Sequence, residues 1–204
     1  MKSVFIYGIS GDIGSRVAKL LSNAGCDVSG LVRNAKKSQI MAEKGIRTFT
    51  GSIDETSPEK HAEWLKGIDT VLFTAGARSE DEEKVRAIDY QGVADTAAAS
   101  VLAGVHSYVL ISAFPEAGRQ RETSAGFETY MSYKKQADAW LINSSAPWTI
   151  IRPGRLVDTE PTGQVQAALA LPYEEISRED LANFISDVIR TDIYRKQIIE
   201  VTGK

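Results

Sequence analysis

The chain has 204 residues, 43% of them hydrophobic, which is the length of one domain and enough apolar side chain to fill its core. A net charge of -3 and an isoelectric point of about 5.5 exclude the broad basic face of a general nucleic-acid binder. A single cysteine, Cys26, excludes an intramolecular disulfide and reads as a small, semi-buried apolar residue between a helix and a strand.

The first ten residues, "MKSVFIYGIS", carry one lysine, a short apolar run and no small-residue cleavage site, so they read as a strand and not as a signal peptide. No stretch is long and apolar enough to cross a bilayer. The expectation is a soluble, cytoplasmic protein without a membrane partner.

Apolar runs then alternate with amphipathic stretches. "SVFIYG" is the first expected strand, and residues 12–24 form a helix with Ile13, Val17, Leu20 and Leu21 on one face. "DVSGLVR" is the second strand, "AKKSQIMAEKG" a helix ending at Gly45, and "IRTFTG" the third strand. "SPEKHAEWLKG" is a helix with Ser57 as N-cap, Pro58 at its first position and Gly67 as its stop. "DTVLFTAG" is the fourth strand, followed by one long helix over residues 82–103 whose acidic start suits the helix dipole. "VHSYVLIS" is the fifth strand, residues 128–144 a helix, and "PWTIIRPG" the sixth strand. A helix capped by Ser177 with Asp180 and a last strand, "KQIIEVTG", complete the chain. Repeated β-α-β-α with continuous apolar strands predicts a single-domain α/β fold, a doubly wound, mostly parallel Rossmann sheet with a small C-terminal substrate-side segment. Residues 113–127 and 153–176 lack periodicity and follow strands, so both should lie at the carboxyl edge, where ligands bind in this architecture.

"GISGDIG" joins the first strand to the first helix. Gly8 permits the turn, Gly11 lets a pyrophosphate approach the backbone, and Gly14 lets the helix pack on the strand. Ser10, Asp12 and Ile13 belong to the same loop and are counted with the cofactor site. No GK[ST] follows, which argues against a P-loop. At the end of the second strand, an NAD site usually offers a carboxylate to the adenosine ribose. Here Arg33 and Asn34 stand there, with Lys36 and Lys37 behind. A guanidinium can hold a 2′-phosphate, so the expected cofactor is NADP(H).

Nearly the whole chain then resembles the short-chain dehydrogenase/reductase superfamily, in its atypical branch of small NAD(P)-binding, NmrA-like proteins. The resemblance lies in "GISGDIG", "LVRN", "FTAG", "AIDYQGVADTAAASVLAGVHSYVLIS", "YMSYKKQAD", "PWTIIRPGRL" and "ISREDLANFI". It implies that Thr74, Ala75 and Gly76 line the cofactor, that Ser112 ends the fifth strand near the nicotinamide, and that Pro153 and Gly154 close over the nicotinamide side. Where the family has Gly-Asp after the third strand this chain has Gly51-Ser52, so Ser52 would meet the adenosine, with Ile53 as an apolar neighbour of the adenine. Tyr130 and Lys134 match the family's YxxxK pair. Four apart on one helical face, they would work as an acid–base pair, the ammonium lowering the tyrosine pKa, with Ser112 steadying the same substrate oxygen. Tyr133 is a competing aromatic, and Ser124 a candidate second serine.

Arg119 and Arg121 read as a solvated loop or as contacts to an acidic substrate. Arg155 is a candidate contact to substrate or phosphate, and Arg152 a candidate structural ion-pair partner. His61 and His106 lack metal-ligand spacing, so no metal is expected. Two functions remain open: an NADP(H)-dependent oxidoreductase acting on a small carbonyl or quinone-like molecule, or an NADP(H)-binding redox sensor without turnover. A nucleotide-sugar epimerase is disfavoured because the chain leaves little room for a large substrate lobe. Either a monomer or a homodimer is compatible with the sequence.

Overall fold

A computed structural model describes residues 1–119 and 122–204. Its main sheet has eight strands in the order β3-β2-β1-β4-β5-β6-β10-β8. These are β1 (Ser3–Tyr7), β2 (Asp27–Val32), β3 (Arg47–Thr50), β4 (Thr70–Phe73), β5 (Ser107–Ile111), β6 (Trp148–Pro153), β8 (Val165–Ala168) and β10 (Ile198–Gly203). All neighbours pair in parallel except β10 and β8, which are antiparallel. Two short strands, β7 (Arg155–Val157) and β9 (Glu175–Ser177), form a second, parallel pair. The expected doubly wound Rossmann sheet is therefore present.

Apolar layers cover both faces. On one, Val4, Ile6, Val109 and Ile151 of the sheet meet Val17 and Leu21 of α1 (Asp12–Asn23) and Leu181, Ile185 and Val188 of α7 (Arg178–Thr191). On the other, Phe5, Tyr7, Val71, Phe73, Tyr108 and Ile150 pack with residues of α5 (Gly92–Leu102) and α6 (Ala125–Ile142). Two shorter helices flank these, α2 (Ala35–Ala42) and α3 (Pro58–Trp64). Both start as the sequence indicates. Asn34 Oδ1 accepts the Lys37 N–H at 3.0 Å, and Ser57 Oγ accepts the Lys60 N–H at 3.3 Å ahead of Pro58.

The structure corrects three expectations about elements. The helix expected over 82–103 is not continuous: α4 (Glu82–Val85) passes into a π-helical turn, Arg86–Gln91, before α5 begins. That turn places Asp89 inward, at 1% exposure. Helix α6 starts at Ala125, three residues before the expected 128, because Ser124 caps it by accepting the Phe127 N–H at 3.2 Å. Ser124 is thus engaged as the cap of this helix. The unpatterned segment 153–176 contains β7, β8 and the start of β9, strands too short to show alternation.

The sheet order reverses beside β1, which has β2 on one side and β4 on the other. The carboxyl ends of β1 and β4, carrying Gly8 and Thr74, open the crevice where such sheets bind nucleotides.

Candidate dinucleotide and substrate site

The glycine loop is built by close approach. Gly8 has φ +86°, and a Cβ on it would sit 2.8 Å from both Thr74 Oγ1 and the Ala75 nitrogen. A Cβ on Gly14 would run into the Gly8 carbonyl. Gly11 is different: its Cβ would have one neighbour, the Gly8 oxygen at 3.1 Å. Gly8 and Gly14 are therefore fixed by the protein's own packing, whereas Gly11 keeps open the space in front of α1. The Gly11 N–H closes the turn onto Gly8 O at 2.9 Å. As N-cap of α1, Gly11 offers no side-chain acceptor, so the first amides of the helix face outward uncapped. These donors and this gap fit a diphosphate. Ile13 is buried in the core at 8% exposure and can contribute only its backbone.

Asp12 is exposed and reaches across the crevice to Arg78, which has φ +47°, with Arg78 Nη2 to Asp12 Oδ2 at 2.8 Å. The hydrogen bond and charge of Arg78 hold the Asp12 carboxyl below its ordinary pKa. Sequence reasoning passed over Arg78. Only the tertiary approach of the β4 loop to α1 reveals it.

Thr74, Ala75 and Gly76 follow β4 as expected. Thr74 knits the crevice shut at its base: its N–H and its hydroxyl both donate to Tyr7 O, at 2.9 and 3.0 Å. Arg33 is exposed directly beyond β2, and Asn34 beside it is occupied with capping α2. Ser52 donates to the Asp54 carboxylate. Ile53 is largely turned into the core, where its Cγ2 would lie 2.6 Å from a Cβ on Gly92.

On the other side of the crevice, Lys134 of α6 is 3% exposed and donates from Nζ to Ile111 O at 3.0 Å, the last residue of β5. Its Nζ is 4.0 Å from Asp89 Oδ1. Asp89 Oδ2 accepts the Ala77 N–H at 3.0 Å, whereas Oδ1 has no hydrogen-bond partner among the described residues. Burial raises the Asp89 carboxyl's pKa, and Lys134 and the Ala77 amide pull it back only in part. Sequence reasoning missed Asp89. The one signal for it was a lone carboxylate in "RAIDYQ", the stretch just before α5, and the π-helical turn is what aims it inward.

Ser112 directly follows β5, next to that lysine anchor. It is 5% exposed, and its hydroxyl has no hydrogen-bond partner among the described residues. Tyr130 lies one turn before Lys134 on α6 and is half-buried. Here one expectation is reversed. Lys134 does favour the tyrosinate, but burial is the larger effect, and Asp89, Asp138 and Tyr173 add to it, so the Tyr130 pKa is raised. Tyr133 points away from the site and donates to Glu82 at 3.0 Å.

Pro153 ends β6 beside β5, and the Gly154 N–H donates to Val201 O at 2.8 Å. A Cβ on Gly154 would strike the Glu174 carbonyl, so this glycine is required by the backbone of the following loop. Arg152 is a structural partner: Nε and Nη2 meet Asp138 Oδ2 at 3.0 and 2.9 Å. Arg155 pairs with Glu175 across β7 and β9 and is thereby engaged. Arg119 is exposed, and Arg121 lies outside the described residues. Among the described residues there is no cluster of metal-ligating side chains, and no helix is long and apolar enough to cross a membrane.

A family model described as NAD(P)H-binding matches residues 8–192. The chain belongs to this NAD(P)H-binding family. It is 33% identical over 184 residues to a Bacillus subtilis protein named as the uncharacterized sugar epimerase YhfK, covering 89% of this chain and 85% of that one. Its fold is similar to that of a Bacillus halodurans protein described as an NAD-dependent epimerase/dehydratase, with a TM-score of 0.88 at 24% identity over 100% of this chain and 95% of the other. It is also similar to ChuY, an anaerobilin reductase from Escherichia coli O157:H7, with a TM-score of 0.80 at 18% identity over 100% and 97% of the two chains. The matched region begins at the first glycine of the loop between β1 and α1, and the resemblance to the atypical reductase branch agrees with these neighbours.

Proposed function

We propose that this member of the NAD(P)H-binding family is an NADP(H)-dependent oxidoreductase acting on a small carbonyl or quinone-like substrate. The observation that carries the reading is the buried Lys134, fixed to the end of β5 next to Ser112, whose hydroxyl has no partner among the described residues.

When bound, the nicotinamide supplies a hydride to the carbonyl carbon. The Ser112 hydroxyl and the Tyr130 phenol take the carbonyl oxygen as their common acceptor. As the new C–H bond forms, the carbonyl π pair moves to that oxygen and takes the Tyr130 proton, giving an alcohol, and solvent returns a proton to the tyrosinate. The raised Tyr130 pKa keeps the phenol protonated at neutral pH, the state that reduction requires. An ammonium has three N–H donors. On Lys134 one is spent on Ile111 O and a second faces Asp89, leaving a third for the ribose hydroxyls. Arg33, exposed where a carboxylate would repel a 2′-phosphate, supports NADP(H) over NAD(H).

Titration with NADPH and NADH, followed by nicotinamide fluorescence, tests the cofactor. Arg33→Ala should weaken NADPH by roughly 1.5–3 kcal/mol, as for a lost charged hydrogen bond, and leave NADH nearly unchanged. Equal losses would remove Arg33 from the 2′-phosphate. Tyr130→Phe should abolish carbonyl or quinone reduction while cofactor affinity persists. The name of the Bacillus subtilis relative favours a second reading, sugar epimerisation. In that case a nucleotide sugar would be interconverted with no net consumption of NADPH.

A further inference from the structure

Arg78 holds a backbone conformation that arginine rarely adopts, with φ +47°. The residue before it is fixed, because the Ala77 N–H donates to the buried Asp89 carboxylate at 3.0 Å. From there the Arg78 side chain, 76% exposed, crosses the crevice to Asp12, the first residue of α1. Glu80, Asp81, Glu82 and Glu83 stand closer in the chain, yet the guanidinium pairs with Asp12. An ion pair this exposed adds little to stability, whereas a left-handed arginine carries strain. Stability does not account for the arrangement.

Asp12 follows Gly11, whose open side and uncapped helix amides fit a diphosphate. The Arg78 guanidinium, by hydrogen bond and charge, keeps the Asp12 carboxyl ionised at neutral pH, and an ionised carboxylate repels phosphate. Two further guanidiniums act on Asp12, those of Arg178 and Arg16. Both are engaged elsewhere, Arg178 with Asp158 at 2.9 Å and Arg16 with Glu179 at 3.3 Å. Among the described residues, Arg78 has no acidic partner besides Asp12. Of the three, Arg78 is the cation that can change partners by turning one side chain.

We propose that Arg78 is a clamp for the diphosphate of the bound dinucleotide, and that Asp12 holds its guanidinium across the crevice until phosphate oxygens take the carboxylate's place. The clamp rests on the family's NAD(P)H binding alone and is independent of NADP(H) preference and of hydride transfer. A guanidinium fork matches two phosphate oxygens as well as it matches a carboxylate. The exchange gives up one exposed ion pair and gains contacts to a doubly charged group.

Equilibrium titration with NADH and NADPH, followed by nicotinamide fluorescence, tests the clamp. Arg78→Gly keeps the left-handed backbone without strain, so its urea midpoint should change little. It should weaken both nucleotides about tenfold, because both carry the same diphosphate. Arg33→Ala should spare NADH, which separates the clamp from the 2′-phosphate reading. Asp12→Asn should tighten both nucleotides about two- to fivefold, by removing the repulsion and releasing Arg78. In the Asp12→Asn background, Arg78→Gly should still weaken both about tenfold. Full recovery in that double variant would show that Arg78 only neutralises Asp12, and would overturn the clamp. Wild-type NADH affinity in Arg78→Gly would overturn it as well, and a loss confined to NADPH would move Arg78 to the 2′-phosphate with the same result.

Discussion

At the scale of single residues, the three glycines of the first loop do different work although their spacing is regular. Gly14 is held by contact with the Gly8 carbonyl, while the space at Gly11 is nearly free of protein. Gly14→Ala should therefore cost stability, roughly 1–3 kcal/mol as for an overpacked core, or more if α1 must shift. Gly11→Ala should leave stability within about 1 kcal/mol, in the range of a helix-end substitution, yet weaken nucleotide binding. Urea unfolding and NADPH titration of the two variants separate these effects. If both variants lost affinity only in proportion to lost stability, Gly11 would have no ligand to make room for. Asp89 and Ser112 each keep a buried polar atom without a partner among the described residues, as do Ser29, Thr70, Asp138 and Trp148.

At the scale of elements, α3 and β1 are coupled through one buried imidazole. His61 is fully buried, and its Nδ1 is 3.0 Å from the Tyr7 hydroxyl. Its Nε2 faces Ile53 O at 3.5 Å, at the loop beyond β3. Burial lowers the His61 pKa more than the Ile53 carbonyl and Asp95 raise it. The folded value thus lies below the unfolded value of about 6.5. Between the two, the unfolded chain binds more protons, so stability is full above about pH 6.5 and is lost as pH falls toward the folded pKa. The wild type should lose stability from pH 7 to pH 5 with a slope of up to about 1.4 kcal/mol per unit, and His61→Phe should flatten that slope. Urea unfolding at the two pH values measures it. An unchanged slope in the variant would place the acid sensitivity elsewhere.

At the scale of the whole molecule, the segment between β6 and α7 is fastened to the Rossmann core by a buried carboxylate as well as by the apolar packing of Leu156, Val165, Ala167 and Ile176. Asp180, in the first turn of α7 and 3% exposed, accepts from Thr162 N at 2.9 Å, Gly163 N at 3.0 Å and Ser177 Oγ at 2.9 Å. Burial raises the carboxyl's pKa, but these hydrogen bonds outweigh it and hold it below the ordinary value. Asp180→Ala should cost roughly 1.5–3 kcal/mol at pH 7. A lowered carboxyl stabilises above the unfolded pKa of about 3.9, and the contribution is lost as pH falls through the folded value. The gap between wild type and variant should therefore close in the acid limb of a pH series of unfolding curves. A gap that stayed constant to pH 3 would show that shape, and not charge, sets the contribution.

The sequence by itself determined the α/β class, the parallel strands and the place of the nucleotide loop. Each of these depends on local pattern: apolar runs such as "SVFIY", Ser57 as a cap, and glycines between a strand and a helix. Tyr130 and Lys134 were legible as a pair because four residues make one helical turn. The structure alone decided what surrounds them. Asp89 turns inward because a π-helical turn shifts the face of the helix, which 3.6-residue periodicity cannot foresee. Arg78 meets Asp12 and Tyr173 meets Phe114 across 66 and 59 positions of chain, contacts that no local window contains. The direction of the Tyr130 pKa belongs to the same class. Spacing supplied the lysine, but the desolvation that outweighs it comes from segments brought together only by the fold.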